Sequence, residues 1–122
     1  MVFNYLKGDT MKKINIIKKS EQFQKIIKNN KSIKTKCFYI YLEKTEKSIY
    51  HFGLSVGKKI GNAVRRNKVK RQLKEIISEN DYQNNFDCII IVRREINDCS
   101  FSEIKKDLNE AFKRLNIIKE TK

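Results

Sequence analysis

The feature that most constrains the fold is a basic segment placed between strand-like runs. Residues 58–75 contain eight lysines and arginines and one acidic residue, Glu75, which gives the segment a net charge of +7. The whole chain of 122 residues carries +14, so half of its net charge lies within 18 residues. Charge concentrated in this way is typical of a surface that binds a polyanion, with nucleic acid the first candidate and an anionic membrane the second.

Three runs rich in aromatic and β-branched residues predict strands, over residues 37–42, 49–56 and 88–92. The third run is apolar throughout, which is typical of a strand covered on both faces. Alternation within the first run puts Tyr39 and Tyr41 on the face opposite to its other apolar residues.

Helical spacing of apolar residues predicts three helices. Ser20 caps the first, whose apolar positions begin at Phe23. The basic segment forms the second, and Ser100 with Glu103 forms a capping box that opens the third. This order of elements predicts an α+β fold, a two-layer α/β sandwich with a small mixed sheet of about four strands and three helices.

The length of the chain suits one domain. Residues 1–10 show no period, so we expect a flexible extension over residues 1–11, a single domain over residues 12–118 and a short tail over residues 119–122. No apolar run approaches the roughly 18 residues that a membrane span needs. The first residues also lack the pattern of a secretory signal, and a cytoplasmic location is therefore expected.

The cysteines and the histidine do not suggest a metal or catalytic centre. Cys37, Cys88 and Cys99 contain no CxxC pair, which favours reduced thiols over a disulfide framework or a zinc site. His51 has no evident carboxylate partner in the sequence, and a place on the sheet surface is a better interpretation than a general base.

Helical geometry separates the basic helix into an apolar arc and a polar one. The outward arc contains Asn67, Lys70, Arg71 and Lys74, with Arg66 beside it in the first turn. Arginine binds phosphate bidentately and lysine adds a mobile point charge. Gly57 and Gly61 flank a loop that could bring backbone amides close to a phosphate. The alternative interpretation is an ordinary solvated face of a lysine-rich protein.

The same block carries a resemblance. Residues 53–71 read Gly-Leu-Ser-Val-Gly-Lys-Lys-Ile-Gly-Asn-Ala-Val-Arg-Arg-Asn-Lys-Val-Lys-Arg, which resembles the signature of the bacterial ribonuclease P protein subunit. That family has a Ser-Val-x-Lys-Lys-x-x-Gly-Asn-Ala-Val strand and loop, followed by an Arg-Asn-Arg-x-Lys-Arg helix. Lys68 replaces the third residue of the helix motif, and Ile27 stands where the first helix often has an aromatic residue. The similarity extends over nearly all of residues 12–118.

The resemblance implies a fold and a mechanism. In the family the basic helix lies in a left-handed crossover between parallel strands. The partner is a large catalytic RNA, and together they remove the 5′ leader of precursor tRNA by hydrolysing a phosphodiester bond. The reaction belongs to the RNA and to magnesium ions bound mainly by the RNA, so no catalytic side chain and no metal site are expected in the protein.

The resemblance also implies two binding surfaces. The surface for the catalytic RNA would contain Lys58, Lys59, Asn62, Arg66, Asn67, Lys68, Lys70, Arg71 and Lys74. A cleft between the first helix and the sheet would hold the single-stranded leader, and it would be lined by Phe23, Ile27, Tyr39, Tyr41 and Ser55. The alternative interpretation makes Phe23 and Ile27 ordinary core residues.

Two other functions are compatible with a basic helix. A ribosomal or ribosome-assembly RNA-binding protein would use the helix without a leader cleft. A helix-turn-helix DNA binder is disfavoured, because the basic helix lies between strands with no partner helix directly before it. Neither DNA nor a membrane is expected as a partner.

Overall fold

The computed structural model describes residues 2–4 and 20–119 of the chain. Its five strands are β1 (Val2–Asn4), β2 (Ile33–Lys34), β3 (Phe38–Lys44), β4 (Tyr50–Ser55) and β5 (Phe86–Val92). Its three helices are α1 (Ser20–Asn29), α2 (Ala63–Ser78) and α3 (Phe101–Leu115). Two short 3₁₀ turns, Lys58–Ile60 and Arg94–Asp98, precede α2 and α3.

The strands form one mixed sheet in the order β1-β4-β5-β3-β2. The central pair, β4 and β5, is parallel, and the other neighbouring strands are antiparallel. Parallel neighbours need a long crossover, and here α2 supplies it. The basic helix therefore lies between two parallel strands, as the resemblance implied, and the left-handedness of that connection stays a prediction.

The main hydrophobic core lies between the sheet and the pair α2 and α3. Phe38, Phe52 and Ile90 come from three adjacent strands, and each is fully buried in this core. Leu73 of α2 and Phe112 of α3 pack against the same cluster. The cluster fixes α2 on the sheet, so only one face of the basic helix is free to meet a partner.

The second face of the sheet is covered by α1. Ile26 of α1 and Ile89 of β5 are buried together, and Phe23, Ile27, Tyr41 and Ile91 are partly buried around them. Ile89 and Ile91 alternate with residues of the main core, so β5 is apolar because both of its faces are covered. The helix α1 thus adds a layer to the predicted two-layer sandwich, on the face of the sheet opposite α2 and α3.

Local signals in the sequence determine where the helices begin. Ser100 accepts a hydrogen bond from the Glu103 amide while the Glu103 carboxylate accepts one from the Ser100 amide, which completes the predicted capping box. The hydrogen bond that the Glu103 carboxylate accepts from the Ser100 amide lowers the pKa of Glu103 from its ordinary value. At the other end of α3, Asn116 adopts the left-handed conformation common after a helix.

The predicted α+β class, the three helices and the small mixed sheet are confirmed. The sheet has a fifth strand, because residues 2–4 pair antiparallel with β4. Most of the predicted extension lies outside the described residues, so its flexibility and the predicted domain bounds stay predictions. Within the part of the chain that the structure describes, no helix is long and apolar enough to cross a membrane.

Candidate nucleic-acid interface

The basic helix is divided sharply between a buried face and a cationic face. The apolar arc predicted from the helical spacing is fully buried and consists of Val69, Leu73, Ile76 and Ile77, whereas Val64 in the first turn is 75% exposed. Asn67, Lys68 and Arg71 are exposed, and Lys70 and Lys74 are half-buried beside them. Burial of one face therefore presents the charge of the other face to solvent as a continuous stripe.

Arg66 occupies a different place from the other cations of the helix. It is half-buried, and its Nε is buried without a hydrogen-bond partner among the described residues. A helical step of about 100° per residue puts Arg66 close to the direction of Leu73 and Ile77, which face the sheet. To meet an RNA phosphate, its guanidinium would have to reach sideways out of the first turn, and this role of Arg66 stays a prediction.

The loop before the helix exposes two further predicted residues, Lys58 and Lys59. Gly61 has a φ of 149°, a backbone conformation that residues with a Cβ rarely adopt, and a Cβ there would lie 3.0 Å from the side chain of Arg65. The amides of Ile60 and Gly61 donate to Gly57 and Lys58 within the turn. These two amides are thus already used, and a phosphate at this loop would depend mainly on the side chains.

Asn62 is the N-cap of α2. Its side-chain oxygen accepts a hydrogen bond from the Arg65 amide at 2.9 Å. The side-chain NH2 group of Asn62 lies on an exposed residue, so it can still donate to a ligand. The predicted RNA-binding residue therefore also determines where the basic helix begins.

Arg65 and Asn97 hold the basic loop in place, and sequence reasoning did not select either residue. Arg65 donates from Nε to the Asn97 side-chain oxygen at 2.9 Å, and the Asn97 side-chain nitrogen donates to the Ile60 carbonyl at 3.0 Å. The two partners are 32 residues apart, and no sequence periodicity connects them.

A cavity of about 480 Å³ lies where the basic loop meets the end of the sheet. Its lining consists of Tyr39, Lys59, Arg93, Arg94, Glu95 and Asp98. Tyr39 belongs to the predicted leader cleft and Lys59 to the predicted surface for the catalytic RNA. The two predicted surfaces therefore meet in one cavity, which carries three cationic and two acidic side chains.

Arg93 organises this cavity. Its guanidinium donates to the carbonyl oxygens of Thr35 and Lys36 at 2.6 and 3.0 Å and pairs with Glu95 at 2.9 Å. The guanidinium carbon also lies 5.2 Å from the centre of the Tyr39 ring, a cation–π distance. Arg93 directly follows the buried strand β5, and this position is the signal in the sequence that could have identified it as a residue of the cavity.

The predicted leader residues lie along the α1 face of the sheet. Phe23, Ile27 and Tyr41 are half-buried around the small α1 cluster, so they are packed yet partly accessible. Tyr39 and Ser55 are half-buried at the end near the basic loop, and both are in register with Ile91 of β5. The structure thus brings the five residues onto one face, in two neighbouring groups.

The sequence interpretation of His51 is wrong. His51 is 3% exposed, and its Nδ1 lies 2.7 Å from Oδ1 of Asp87, which is 5% exposed. The two residues are in register on the parallel strands β4 and β5, a pairing that only the sheet topology reveals. His51 therefore has a carboxylate partner and lies in the interior instead of on the sheet surface.

Fold and surface together define a small basic α+β protein whose cationic helix suits a polyanionic partner. Residues 11–116 match the Ribonuclease P family, and the chain belongs to that family. The ribonuclease P protein component of Mycoplasma capricolum subsp. capricolum is 43% identical over 108 residues, which cover 86% of this chain and 99% of the relative. The corresponding protein of Bacillus velezensis is 41% identical over 113 residues, with 91% and 97% covered.

Solved structures agree with the sequence relatives. The RNase P protein of Staphylococcus aureus superposes with a TM-score of 0.75 at 32% identity, covering 84% of this chain and 96% of that chain. The RNase P protein of Thermotoga maritima gives a TM-score of 0.70 at 30% identity, with 78% and 92% covered. The prediction of a ribonuclease P protein subunit is confirmed, and nothing in these comparisons supports a ribosomal protein.

Proposed function

We propose that this chain binds the catalytic RNA of ribonuclease P through its basic loop and helix, and the 5′ leader of precursor tRNA through the α1 face of the sheet. The observation that carries the proposal is the cavity shared by Tyr39 and Lys59, because it makes the two surfaces continuous. An RNA strand leaving the α1 face would pass directly onto the cations of the basic loop.

The stripe of cations on α2 supports the first part of the proposal. Its residues project from one helix face whose other face is fixed on the core, so no refolding is needed to present them. Each lysine or arginine that neutralises a phosphate releases condensed counterions, which is the main source of affinity for RNA. Arg71, exposed in this stripe, can also contact a phosphate bidentately.

The half-buried aromatic residues support the second part. Single-stranded RNA is commonly bound by stacking its bases on aromatic rings, with cations close to the phosphates. Phe23 and Tyr41 offer ring surface beside α1, and Tyr39 lies next to the guanidinium of Arg93. Ile27 provides apolar contact where an aromatic residue would stack.

We place the catalytic centre in the RNA, with magnesium ions bound mainly by the RNA. Among residues 2–4 and 20–119, no three His, Cys, Asp or Glu side chains come together as a metal site would require. No step of the reaction is therefore assigned to a magnesium ion held by this chain. This chain contributes electrostatically: its charge of +14 lets two polyanions approach each other. We place this activity in the cytoplasm, with neither DNA nor a membrane as partner.

Reconstitution tests the proposal directly. The full chain is added to a bacterial catalytic RNA, and cleavage of precursor tRNA at the mature 5′ end is measured across a magnesium series. We expect the protein to increase cleavage most at low magnesium and less as magnesium rises, because protein cations replace part of the ionic screening. Polylysine of matched charge is the control for a nonspecific polycation effect. Equal rescue by polylysine, or no rescue at any magnesium concentration, would contradict the proposal.

A further inference from the structure

Two of the three cysteines meet although they are far apart in the sequence. The Sγ atoms of Cys37 and Cys99 are 3.4 Å apart across a separation of 62 residues. Cys37 directly precedes β3 and is fully buried, whereas Cys99 follows the Arg94–Asp98 turn and is half-buried. Cys88, the third cysteine, is fully buried within β5.

The main chain holds both cysteines in position. The Cys37 amide donates to an Asp107 carboxylate oxygen at 3.2 Å, and its carbonyl accepts from the Arg93 amide at 2.7 Å. The Cys99 amide donates to the Ile96 carbonyl at 3.2 Å, which closes the turn. The contact between the thiols is thus fixed by two anchored segments of chain.

We propose that Cys37 and Cys99 form a reversible intramolecular disulfide when the protein meets a hydroperoxide, while Cys88 stays a thiol. A disulfide needs the two sulfur atoms to approach to about 2.0 Å, a small movement from their present contact. The proposal is independent of the RNA-binding function.

The chemistry has two balanced steps. The Cys99 thiol gives its proton to solvent, and the thiolate attacks the terminal oxygen of the hydroperoxide. The O–O bond breaks, and the other oxygen leaves as an alkoxide that takes up a proton from solvent to give an alcohol, or water when the oxidant is hydrogen peroxide. The resulting sulfenic acid carries the oxidised sulfur. The Cys37 sulfur then attacks Cys99 Sγ, the S–S bond forms as the S–O bond breaks, and hydroxide leaves with the Cys37 proton as water.

Burial determines the order of the two steps. Cys99 is the thiol that solvent and a small oxidant can reach. Burial raises the pKa of the Cys37 thiol, and the neighbouring Cys99 raises it further, so Cys37 is a poor first nucleophile. Cys37 therefore acts as the resolving thiol. The pKa of Cys88 is also raised by its complete burial, which keeps that thiol inert.

The disulfide would join the start of β3 to the turn that carries Asn97. A covalent link over such a long loop restricts the unfolded chain more than the folded one. We therefore expect the oxidised protein to melt at a temperature about 5 °C or more above that of the reduced protein.

The experiment treats the full-length reduced folded protein with hydrogen peroxide and removes the peroxide. The chain is then unfolded in denaturant with iodoacetamide, which blocks every remaining thiol, and the peptides are mapped by mass spectrometry. Before alkylation we expect a loss of 2 Da. After alkylation we expect a linked peptide pair containing residues 37 and 99 and an alkylated Cys88, and dithiothreitol should then release two thiols. Cys99→Ser should abolish the link, and its melting temperature shows whether the variant folds. Cys88→Ala is the matched control and should keep the link.

The unmodified chain alone decides the outcome if either variant fails to fold. The same treatment in concentrated guanidinium chloride should give mixed pairings, since the selectivity comes from the fold. Three outcomes with the folded protein would overturn the proposal. They are a Cys99 found as sulfinic acid, a disulfide partner that is Cys88 or a cysteine of a second copy, and the persistence of all three thiols.

Discussion

Arg65 and Asn97 are joined by a 2.9 Å hydrogen bond from the guanidinium Nε to the side-chain oxygen. Because Asn97 also donates to the Ile60 carbonyl, this single side chain ties the Arg94–Asp98 turn to the loop that carries Lys58 and Lys59. The orientation of the basic loop thus depends on a neutral residue outside the basic segment.

The first prediction is that Asn97→Ala weakens RNA binding without removing any charge. The variant loses both hydrogen bonds, for which we expect a fall of about 1–2 kcal/mol in the free energy of unfolding. Catalytic-RNA affinity should fall several-fold, with the salt dependence of binding unchanged because the number of phosphate contacts is the same. Asn84→Ala, at an exposed position in another loop, is the control and should leave affinity unchanged.

The second prediction concerns the cations of α2. Replacing Arg66, Lys70 and Arg71 together by alanine should weaken RNA binding strongly while the chain stays folded. Each lost phosphate contact should make the salt dependence of log affinity shallower by about 0.7–0.9. Affinity measured across a salt series, with melting temperature as the check on folding, gives this slope.

A second triple variant, with substitutions on α3, tests whether the position of the lost charges matters or only their number. Lys106, Lys113 and Arg114 are exposed cations of α3, and changing them to alanine removes the same formal charge. The α3 variant should lose little affinity. Similar losses in both triple variants would show that net charge alone drives binding and that the α2 face has no special role.

Periodicity was sufficient to predict the three helices, the three long strands and the free face of α2, but not the short strands β1 and β2. The buried residues of that helix recur with helical spacing, and those of β3 alternate, so each pattern is visible in a single segment of sequence. The pairing of His51 with Asp87 and the contact of Arg65 with Asn97 join separate segments. Neither could be predicted, because register between strands and approach of distant loops are set by the whole fold.

The third prediction tests the α1 face as the leader site. Tyr41→Ala and Phe23→Ala should each weaken binding of precursor tRNA by about 1–3 kcal/mol, the usual cost of losing a stacking platform. Binding of mature tRNA should change much less, since it has no leader. Parallel titrations of the reconstituted enzyme with the two tRNAs measure the difference.

Phe101 provides the control for this experiment. It is a partly buried aromatic residue of α3 that packs on the main core, away from α1. Phe101→Ala should lower stability but leave the ratio of precursor to mature tRNA affinity unchanged. The leader assignment fails if the Tyr41 and Phe23 variants lose affinity equally for both tRNAs.

The fourth prediction concerns stability at alkaline pH. Burial raises the pKa of Cys88 above its ordinary value of 9.0, so the folded chain keeps this proton at a pH where the unfolded chain has lost it. Stability from this thiol is therefore complete below pH 9 and declines as the pH rises, by about 1.4 kcal/mol per unit. The free energy of unfolding, measured with denaturant at several pH values above 9, should fall with pH in the wild type and in Cys88→Val. The fall per pH unit should be smaller in the variant by this amount. Identical slopes would contradict the assignment.

The last prediction is that the isolated protein does not cleave precursor tRNA, despite the carboxylate partner of its only histidine. A histidine held by an aspartate can act as a general base, but only if substrate or water reaches the ring. His51 and Asp87 are 3% and 5% exposed, so the pair is closed to a phosphodiester.

Highly purified protein, incubated with precursor tRNA and magnesium without the catalytic RNA, should leave the substrate intact. His51→Gln should lower the melting temperature yet keep the cleavage site and magnesium dependence of the reconstituted enzyme. Cleavage at the mature 5′ end by protein alone, abolished by that substitution, would move the catalytic centre from the RNA to this buried pair.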